Sequence, residues 1–151
     1  MGPVTIFDST LRDGAQGAGV TFSLEDKLQA VRLLDQVGVQ YVEAGNPGSN
    51  PKDAEFFQRA AGLSLKNARL VSFGSTRRKN TAPEEDQSLA AVLAAQTPVC
   101  CVFGKCWKFH VDRVLETSYE ENFRMIEELL ITLFIHYLQK IFPFLPPHLP
   151  E

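Results

Sequence analysis

The sequence has 151 residues, of which 44% are hydrophobic, and this is enough for about one globular domain with a buried core. Its 15 basic and 18 acidic residues nearly balance at a net charge of -3, so the composition argues against a nucleic-acid partner. The three cysteines are too few for a disulfide framework, which predicts a reducing compartment and a cytoplasmic location.

The elements predicted for the first part of the chain alternate between strand and helix. An apolar strand at residues 4–8 is followed by a helix that begins after Ser23 with a capping box and ends at Gly38. A second strand at residues 40–44 leads to a helix that Asn50 caps.

The same alternation continues in the rest of the chain. A third strand is predicted at residues 69–73, a third helix at 83–96 and a fourth strand at 98–103. A fourth helix opens at Ser118, with Glu121 completing a capping box. Crossover helices allow neighbouring strands to run in the same direction, so the strands are predicted to be parallel.

This succession predicts an α/β fold whose ligands gather at the carboxyl ends of the strands, in an open doubly wound sheet or a closed TIM (β/α)8 barrel. No Gly-x-Gly-x-x-Gly sequence follows the first strand, and the small residues at 14–19 lack the lysine of a phosphate loop. The barrel is therefore favoured. A complete barrel has about 250 residues, so we predict its N-terminal half, with about four βα units and open sheet edges that promote self-association.

Charged residues crowd the end of the first strand, where Arg12 and Asp13 precede Gly14. An aspartate there offers a hard oxygen ligand for Mg²⁺ or Mn²⁺, and a guanidinium group can hold a carboxylate or polarise a carbonyl. An ordinary surface ion pair in a turn explains the same residues, and on spacing alone it is the preferred interpretation.

Glu43 lies near the end of the second predicted strand, where a central parallel strand is normally apolar. Buried carboxylates are rare unless they are paired or bind a metal, so Glu43 needs a partner. Arg12, Lys105 or a metal ion would serve, because all are predicted at the same end of the sheet. A structural salt bridge and a functional role both remain open.

Four segments carry a resemblance to a known family: "FDSTLRDGAQ", "VEAGNPGSNPKDAEFF", "FGSTRRK" and "VFGKCWKFHV". From about residue 4 to residue 128 the chain resembles the N-terminal part of citramalate synthases. These are relatives of 2-isopropylmalate and homocitrate synthases in the pyruvate carboxyltransferase-like family of metal-dependent barrels. The pairing of "GSNPKD" with "FGSTRR" favours the citramalate branch over the isopropylmalate branch.

The resemblance implies an acyltransferase of branched-chain amino-acid biosynthesis that joins acetyl-CoA to a 2-oxo acid, pyruvate, in a Claisen condensation. It implies that Asp13 binds a divalent metal, Mg²⁺ or Mn²⁺ with Zn²⁺ as a further candidate, which acts as Lewis acid and template. Arg12 matches a catalytic group that stabilises negative charge on oxygen. Gln16 and Glu43 match positions in the substrate site, and Glu43 is also predicted to be catalytic.

The metal site that this resemblance implies is incomplete. The family completes it with a His-x-His pair on a later strand, but no two of the three histidines here, His110, His136 and His148, are separated by one residue. The three cysteines at 100, 101 and 106 are better explained as small apolar residues than as zinc ligands.

The resemblance is expected to stop near Leu129, which divides the chain into a partial barrel at residues 1–128 and a divergent apolar helical tail at 129–151. The tail is apolar on every helical face, but polar residues interrupt it, so no membrane span is predicted. Prolines after residue 142 argue against a fifth strand. The N-terminus lacks the features of a signal peptide. We therefore expect a truncated or frame-altered chain that is inactive alone and forms homo-oligomers.

Three alternatives to a citramalate synthase remain open. One is a 2-isopropylmalate synthase-type acyltransferase, and another is a non-enzymatic half-barrel that self-associates through the apolar tail. The third is a lyase that runs related chemistry backwards, since "TLRDG" alone identifies only the superfamily.

Overall fold

A parallel sheet organises the fold in the computed structural model, which describes residue 2 and residues 4–141. Its four strands follow the order of the chain: β1 (Phe7–Asp8), β2 (Tyr41–Gly45), β3 (Arg69–Ser75) and β4 (Val99–Phe103). All three strand pairs are parallel, which confirms the predicted α/β class. β1 is shorter than predicted, and just before it the Ile6 N–H donates to the Gln40 side chain at 2.7 Å while the Ile6 carbonyl accepts from the Tyr41 N–H.

Helices connect the strands and are described in chain order. The full helices are α1 (Leu24–Val37), α2 (Pro51–Ala60), α3 (Gln87–Ala94) and α5 (Tyr119–Ile141). Short helical turns occupy Gly14–Gln16, Pro83–Glu85, α4 (Lys108–His110) and the π-helix Val111–Leu115. The crossover helices therefore lie where the strand spacing predicted them.

The ends of the first two helices follow the predicted caps. The Ser23 hydroxyl accepts from the Asp26 N–H while the Asp26 carboxylate accepts from the Ser23 N–H, which completes the capping box of α1. Gly38 ends α1 in the left-handed conformation, at φ 91°. The Asn50 side chain accepts from Lys52 N–H at the start of α2.

The third helix begins later than predicted. Asp86 has an extended backbone, and its carboxylate accepts from the Leu89 N–H at 2.8 Å, so Asp86 is the N-cap of α3. Residues 83–85 form a separate 3-10 turn before it. Aspartate is more favourable at a helix N-cap than inside a helix, and this local preference sets the start of α3 at Asp86.

The predicted capping box of the last helix is only half formed. The Ser118 hydroxyl accepts from the Glu121 N–H at 3.1 Å. The Glu121 carboxylate, however, accepts from the buried Arg77 side chain at 2.7 Å and from the Asn80 N–H. A long-range ion pair therefore replaces the local return bond.

The two faces of the sheet differ in how they are covered. On one face, α1 and α2 pack on β2 and bury a core that includes Leu28, Val31, Val42, Phe56 and Leu70. On the other face the rings of Phe7 and Tyr41 stack, as do those of Phe73 and Phe103. Phe7 and Phe103 remain 49% and 44% exposed. In a closed barrel this second face lines the interior.

The last helix runs without a break across the predicted domain boundary. Leu129 and Leu133 are buried against Leu89 of α3, whereas Leu130 and Phe134 are exposed. The division at residues 128 and 129 stays a prediction. Two expectations, the lack of a fifth strand and the spacing of the histidines, depended partly on residues outside the described part of the chain: Pro143, Pro146, Pro147 and His148. Among the helices within residues 4–141, none combines the length and the apolar character that a membrane span requires.

Candidate active site

An arginine and a buried glutamate meet at the carboxyl end of the sheet. Arg12 Nε donates to Glu43 Oε2 at 2.7 Å, and the Glu43 side chain is only 1% exposed. The Arg12 guanidinium also lies over the Phe73 ring, 4.1 Å from its centroid. Of the partners considered for Glu43, the structure therefore pairs it with Arg12, while Lys105 lies over the Phe103 ring instead.

A tight turn after β1 presents Arg12 to this site. The N–H groups of Arg12, Asp13 and Gly14 all donate to the Ser9 carbonyl, at 3.1, 2.8 and 3.2 Å. The chain then continues as the 3-10 turn Gly14–Gln16. This turn folds back over the sheet. Arg12, which follows the short edge strand β1, therefore reaches Glu43 on β2.

The other two predicted site residues are placed differently. Asp13 Oδ1 accepts from Arg12 Nη1 at 2.7 Å, and the Asp13 side chain is 62% exposed. Gln16 is exposed and lines a cavity together with Arg12. Arg12, Asp13 and Gln16 thus lie on one turn, with Glu43 buried beneath the guanidinium. The roles assigned to these four residues stay predictions.

The cavity beside Arg12 has a volume of about 330 Å³. Polar groups dominate its lining, including Gln16, Asn46, Asn50 and Lys52, while Phe73 contributes an apolar wall. Arg12 Nη2 has no hydrogen-bond partner among the described residues. The cavity is therefore suited to a small polar anion that takes up this free donor.

Sequence reasoning missed a buried ion pair that borders the same cavity. Lys27 Nζ donates to Asp53 Oδ1 and, at 2.8 Å, to the Ala44 carbonyl. Asp53 Oδ2 accepts from the Asn46 N–H at 2.8 Å. The register of β2 against β3 shifts between Glu43 and Gly45. Lys27 therefore donates to a backbone carbonyl, that of Ala44, at the point where the regular strand pairing is interrupted.

One signal for this pair is present in the sequence. Lys27 stands three residues after Leu24 and four before Val31, so it lies within the apolar stripe of α1. A charged residue at a core-facing position needs a buried partner. Gly45 adds a constraint that only the structure shows, because a Cβ atom there would collide with the Asp53 carboxyl group.

Cys101 adds a thiol on the Glu43 side of β4. Burial, followed by the neighbouring Glu43 carboxylate, raises the pKa of Cys101 to about 11. The thiol is therefore protonated at neutral pH and acts as a neutral neighbour of the carboxylate. The prediction that all three cysteines are small buried residues is wrong for Cys106, which is exposed, while Cys100 and Cys101 are partly buried in β4.

A metal site is not complete within the described residues. In the part of the chain that the structure describes, no three His, Cys, Asp or Glu side chains come close enough to hold a metal ion. Asp13 contributes one accessible carboxylate, and Arg12 occupies one of its oxygens. These residues alone do not fit a bound divalent cation, which normally takes about six oxygen ligands.

The fold and the site together define a class: a parallel β/α unit of the TIM-barrel type, with charged groups at the carboxyl ends of its strands. The solved structure of an HMG-CoA lyase from Bacillus subtilis shares this fold with a TM-score of 0.60, at 21% identity, over 84% of this chain and 41% of that one. The fold therefore corresponds to the N-terminal part of a TIM barrel, as predicted.

A sequence model of the HMGL-like family matches residues 3–134, so the chain belongs to the HMGL-like family. The match extends past Leu129, where the resemblance was expected to stop.

Curated relatives are similar to this chain over most of its length. The (R)-citramalate synthase of Aquifex aeolicus is 50% identical over 125 residues, which is 83% of this chain and 24% of the relative. The (R)-citramalate synthase of Sulfolobus acidocaldarius is 45% identical over 139 residues, which is 92% of this chain and 27% of the relative. A 2-isopropylmalate synthase of Lysinibacillus sphaericus is more distant, at 31% identity over 143 residues. The chain spans about a quarter of the length of these relatives, and the predicted resemblance to citramalate synthases is confirmed.

Proposed function

We propose that this chain carries part of the 2-oxo-acid site of a citramalate synthase-type acyltransferase. The observation that carries the proposal is the Arg12 guanidinium, fixed by Glu43 and Phe73 with Nη2 free beside a polar cavity. The identity of 43–50% to (R)-citramalate synthases points to pyruvate and acetyl-CoA as the substrates. The lower identity to 2-isopropylmalate synthases, 31–33%, makes that activity the second choice.

The reaction develops negative charge on oxygen, and Arg12 is suited to stabilise it. The acetyl methyl group of acetyl-CoA loses a proton to a general base, and the resulting carbanion attacks the ketone carbon of pyruvate. The ketone oxygen takes the electron pair and is then protonated to the alcohol. A fixed guanidinium donor stabilises such an oxygen more in the transition state than in the ground state. Hydrolysis of the thioester then gives citramalate and coenzyme A.

Glu43 is proposed to act through Arg12. Its carboxylate is buried and holds Nε, which leaves one edge of the guanidinium for the ligand. Because a buried charge is stable only when it is paired, the two residues fix each other's position. Gln16 is proposed to contribute an amide to the same ligand from the adjacent turn.

Asp13 is proposed to be one ligand of a divalent metal, Mg²⁺ or Mn²⁺, with Zn²⁺ a further candidate. Enzymes of this family generally depend on such a metal. Since the described residues do not complete a site, Asp13 is assigned only a contributing role, and Arg12 is assigned its role independently of the metal.

Calorimetric titration with pyruvate tests the role of Arg12. Arg12→Gln should weaken pyruvate binding at least about tenfold, because a hydrogen bond to a charged group contributes on the order of 1.5–3 kcal/mol. Arg32→Gln, an exposed position on α1, is the matched control and should leave the affinity unchanged. Equal pyruvate affinity in the wild-type chain and the Arg12 variant would refute the assignment.

A second titration, with Mn²⁺ in the presence and absence of pyruvate, tests Asp13. Without pyruvate the chain should bind no Mn²⁺, because its described residues alone do not complete a site. With pyruvate as an added oxygen ligand Mn²⁺ should bind, and this binding should be lost in Asp13→Asn and kept in Glu55→Gln, at an exposed position of α2. Mn²⁺ binding that is the same in both variants would exclude Asp13 as a ligand.

The apolar surface favours self-association of the chain, which we propose as its state in solution. Phe7 and Phe103 are exposed on the uncovered face of the sheet, and Phe134 is exposed on α5. Apolar surface and open sheet edges both promote pairing. Gel filtration with light scattering should show a homo-oligomer, and a monomer at micromolar concentration would contradict it. The cytoplasmic location stays a prediction.

A further inference from the structure

The sheet is open at both of its outer strands. Within residues 4–141, β1 pairs only with β2 and β4 only with β3, so each outer strand has one edge without a strand partner. A ring at each edge is also exposed: Phe7 on β1 by 49% and Phe103 on β4 by 44%. Both rings belong to the face that lines the interior of a closed barrel. Each open edge therefore presents backbone hydrogen-bonding groups together with an aromatic side chain.

The carboxyl ends of the two outer strands carry opposite charges. Lys105 follows β4, and its Nζ lies 5.4 Å from the centre of the Phe103 ring. Within residues 4–141, Lys105 forms no ion pair. Asp13 lies in the turn that follows β1, and its side chain is 62% exposed. The positive end of one open edge is thus complementary to the negative end of the other.

The helix beside each open edge carries exposed apolar side chains. On α5, which follows β4, an apolar stripe is 55–68% exposed and consists of Phe123, Leu130, Phe134 and Ile141. Spacings of seven, four and seven residues put these side chains on one side of the helix. On α1, which follows β1, Val37 is 82% exposed.

The apolar stripe lies on the side of α5 that faces away from α3. The side next to α3 is a groove, which Ile131 and Ile135 line together with Leu93 of α3. The side over the sheet is marked by Tyr137, whose hydroxyl donates to the Thr97 carbonyl at the start of β4. The apolar stripe therefore borders the open side of the sheet, where the next helix of a barrel packs.

A closed barrel of this type has eight parallel strands, twice the four of this sheet. We propose that two copies of the chain close such a barrel, in which β4 of each copy pairs with β1 of the other. The partner's Phe7 then packs beside Phe103, the partner's Val37 packs on the apolar stripe, and the partner's Lys105 joins the candidate active site beside Asp13. A two-fold axis produces both contacts at once, so no open edge remains.

This inference rests on the self-association proposed above and deepens it, because it fixes the number of copies and the surfaces that meet. The two surfaces of each contact are different, one at β1 and α1 and the other at β4 and α5. Such contacts close into a ring only when the rotation between copies allows it. Here the strand number supplies that rotation, since two sets of four strands make one complete barrel.

Sedimentation equilibrium of the full chain, without ligand, tests the closure. The mass should be twice the 16.8 kDa of one chain and should not grow further with concentration, because a closed pair leaves no edge for a third copy. Leu130→Glu and Val37→Glu should each raise the dissociation constant of the pair at least about tenfold, since a carboxylate is then buried at both contacts. Ile131→Glu, one residue further but in the groove beside α3, is the matched control and should change it less than about threefold. Circular dichroism verifies that each variant is folded.

Three results would overturn the proposal: assemblies larger than two copies, equal weakening by the Ile131 and Leu130 variants, or weakening by Leu130→Glu without weakening by Val37→Glu. The last result would indicate that α5 pairs with itself. A monomer would overturn this proposal and the self-association together.

Calorimetric titration with pyruvate separates this inference from the proposed function. A pair of copies that binds no pyruvate would overturn the proposed 2-oxo-acid site and leave the closure standing. A monomeric Leu130→Glu chain that binds pyruvate as tightly as the wild-type pair would overturn the contribution of the partner to the site and leave the role of Arg12 standing.

Discussion

Replacing Lys27 by methionine should destabilise the fold severely, because it leaves the buried Asp53 carboxylate without its cation. Both side chains are nearly inaccessible, at 5% and 9% exposure. After the change, Asp53 keeps the hydrogen bond from Asn46 N–H but loses the ammonium group, and the Ala44 carbonyl also loses its donor. Methionine has a similar length, so the effect should come from charge rather than from a cavity.

The expected loss is about 3–5 kcal/mol of unfolding free energy, the usual cost of removing one partner from a buried ion pair. A domain of this size has about 5–15 kcal/mol in total. Each kcal/mol corresponds to about 2–4 °C, so the Tm should fall by about 6–20 °C. Urea unfolding followed by circular dichroism measures the same loss directly.

Two further variants isolate the cause. Arg32→Met changes an exposed residue on the same helix and should stay within about 0.5 kcal/mol of the wild-type chain. Lys27→Met combined with Asp53→Asn removes the unpaired charge but keeps an oxygen for the Asn46 N–H, and should recover more than half of the loss. A Lys27→Met chain within 1 kcal/mol of the wild type, or a double variant no more stable than the single one, would refute this reasoning.

Three other outcomes are expected. Gly45→Ala should cost at least about 2 kcal/mol in urea unfolding, because the added Cβ would meet the Asp53 carboxyl carbon, and an unchanged midpoint would contradict this. Arg77 holds the pKa of Glu121 below its usual range, so the stability that this carboxylate contributes is complete above the unfolded pKa of about 4.3 and is lost as the pH falls through the lowered value. Thermal scans should therefore show a drop in Tm between about pH 5 and pH 3 that is smaller in Glu121→Gln; equal drops would contradict it. With its pKa raised to about 11, Cys101 should react with iodoacetamide at about pH 8 on the order of a hundredfold more slowly than a model thiol, as followed by mass spectrometry, and equal rates would exclude the protonated thiol.

The local elements were predictable because their signals are short-range. The capping box at Ser23 and the left-handed Gly38 each depend on neighbours within one or two helical turns. The third helix shows the limit of this approach, since Asp86 was available as a cap and yet the predicted start lay at residue 83. There the proline and two glutamates resembled a first helical turn but form a separate 3-10 turn.

The candidate site was predicted only in part. Arg12, Asp13 and Gln16 lie within five residues of sequence, so a motif was enough to group them. Glu43 was singled out because a charged residue is unusual in a buried parallel strand. The sequence left open which group would pair with it.

By itself, the sequence determined the order of strands and helices, the parallel direction of the strands and the end of the sheet at which charged groups gather. Only the tertiary structure decided that Arg12 pairs with Glu43 across 31 residues and Lys27 with Asp53 across 26. The physical reason is distance along the chain. Helix caps and apolar periods act between near neighbours, whereas a buried ion pair depends on how separate elements pack and on which charges that packing removes from water.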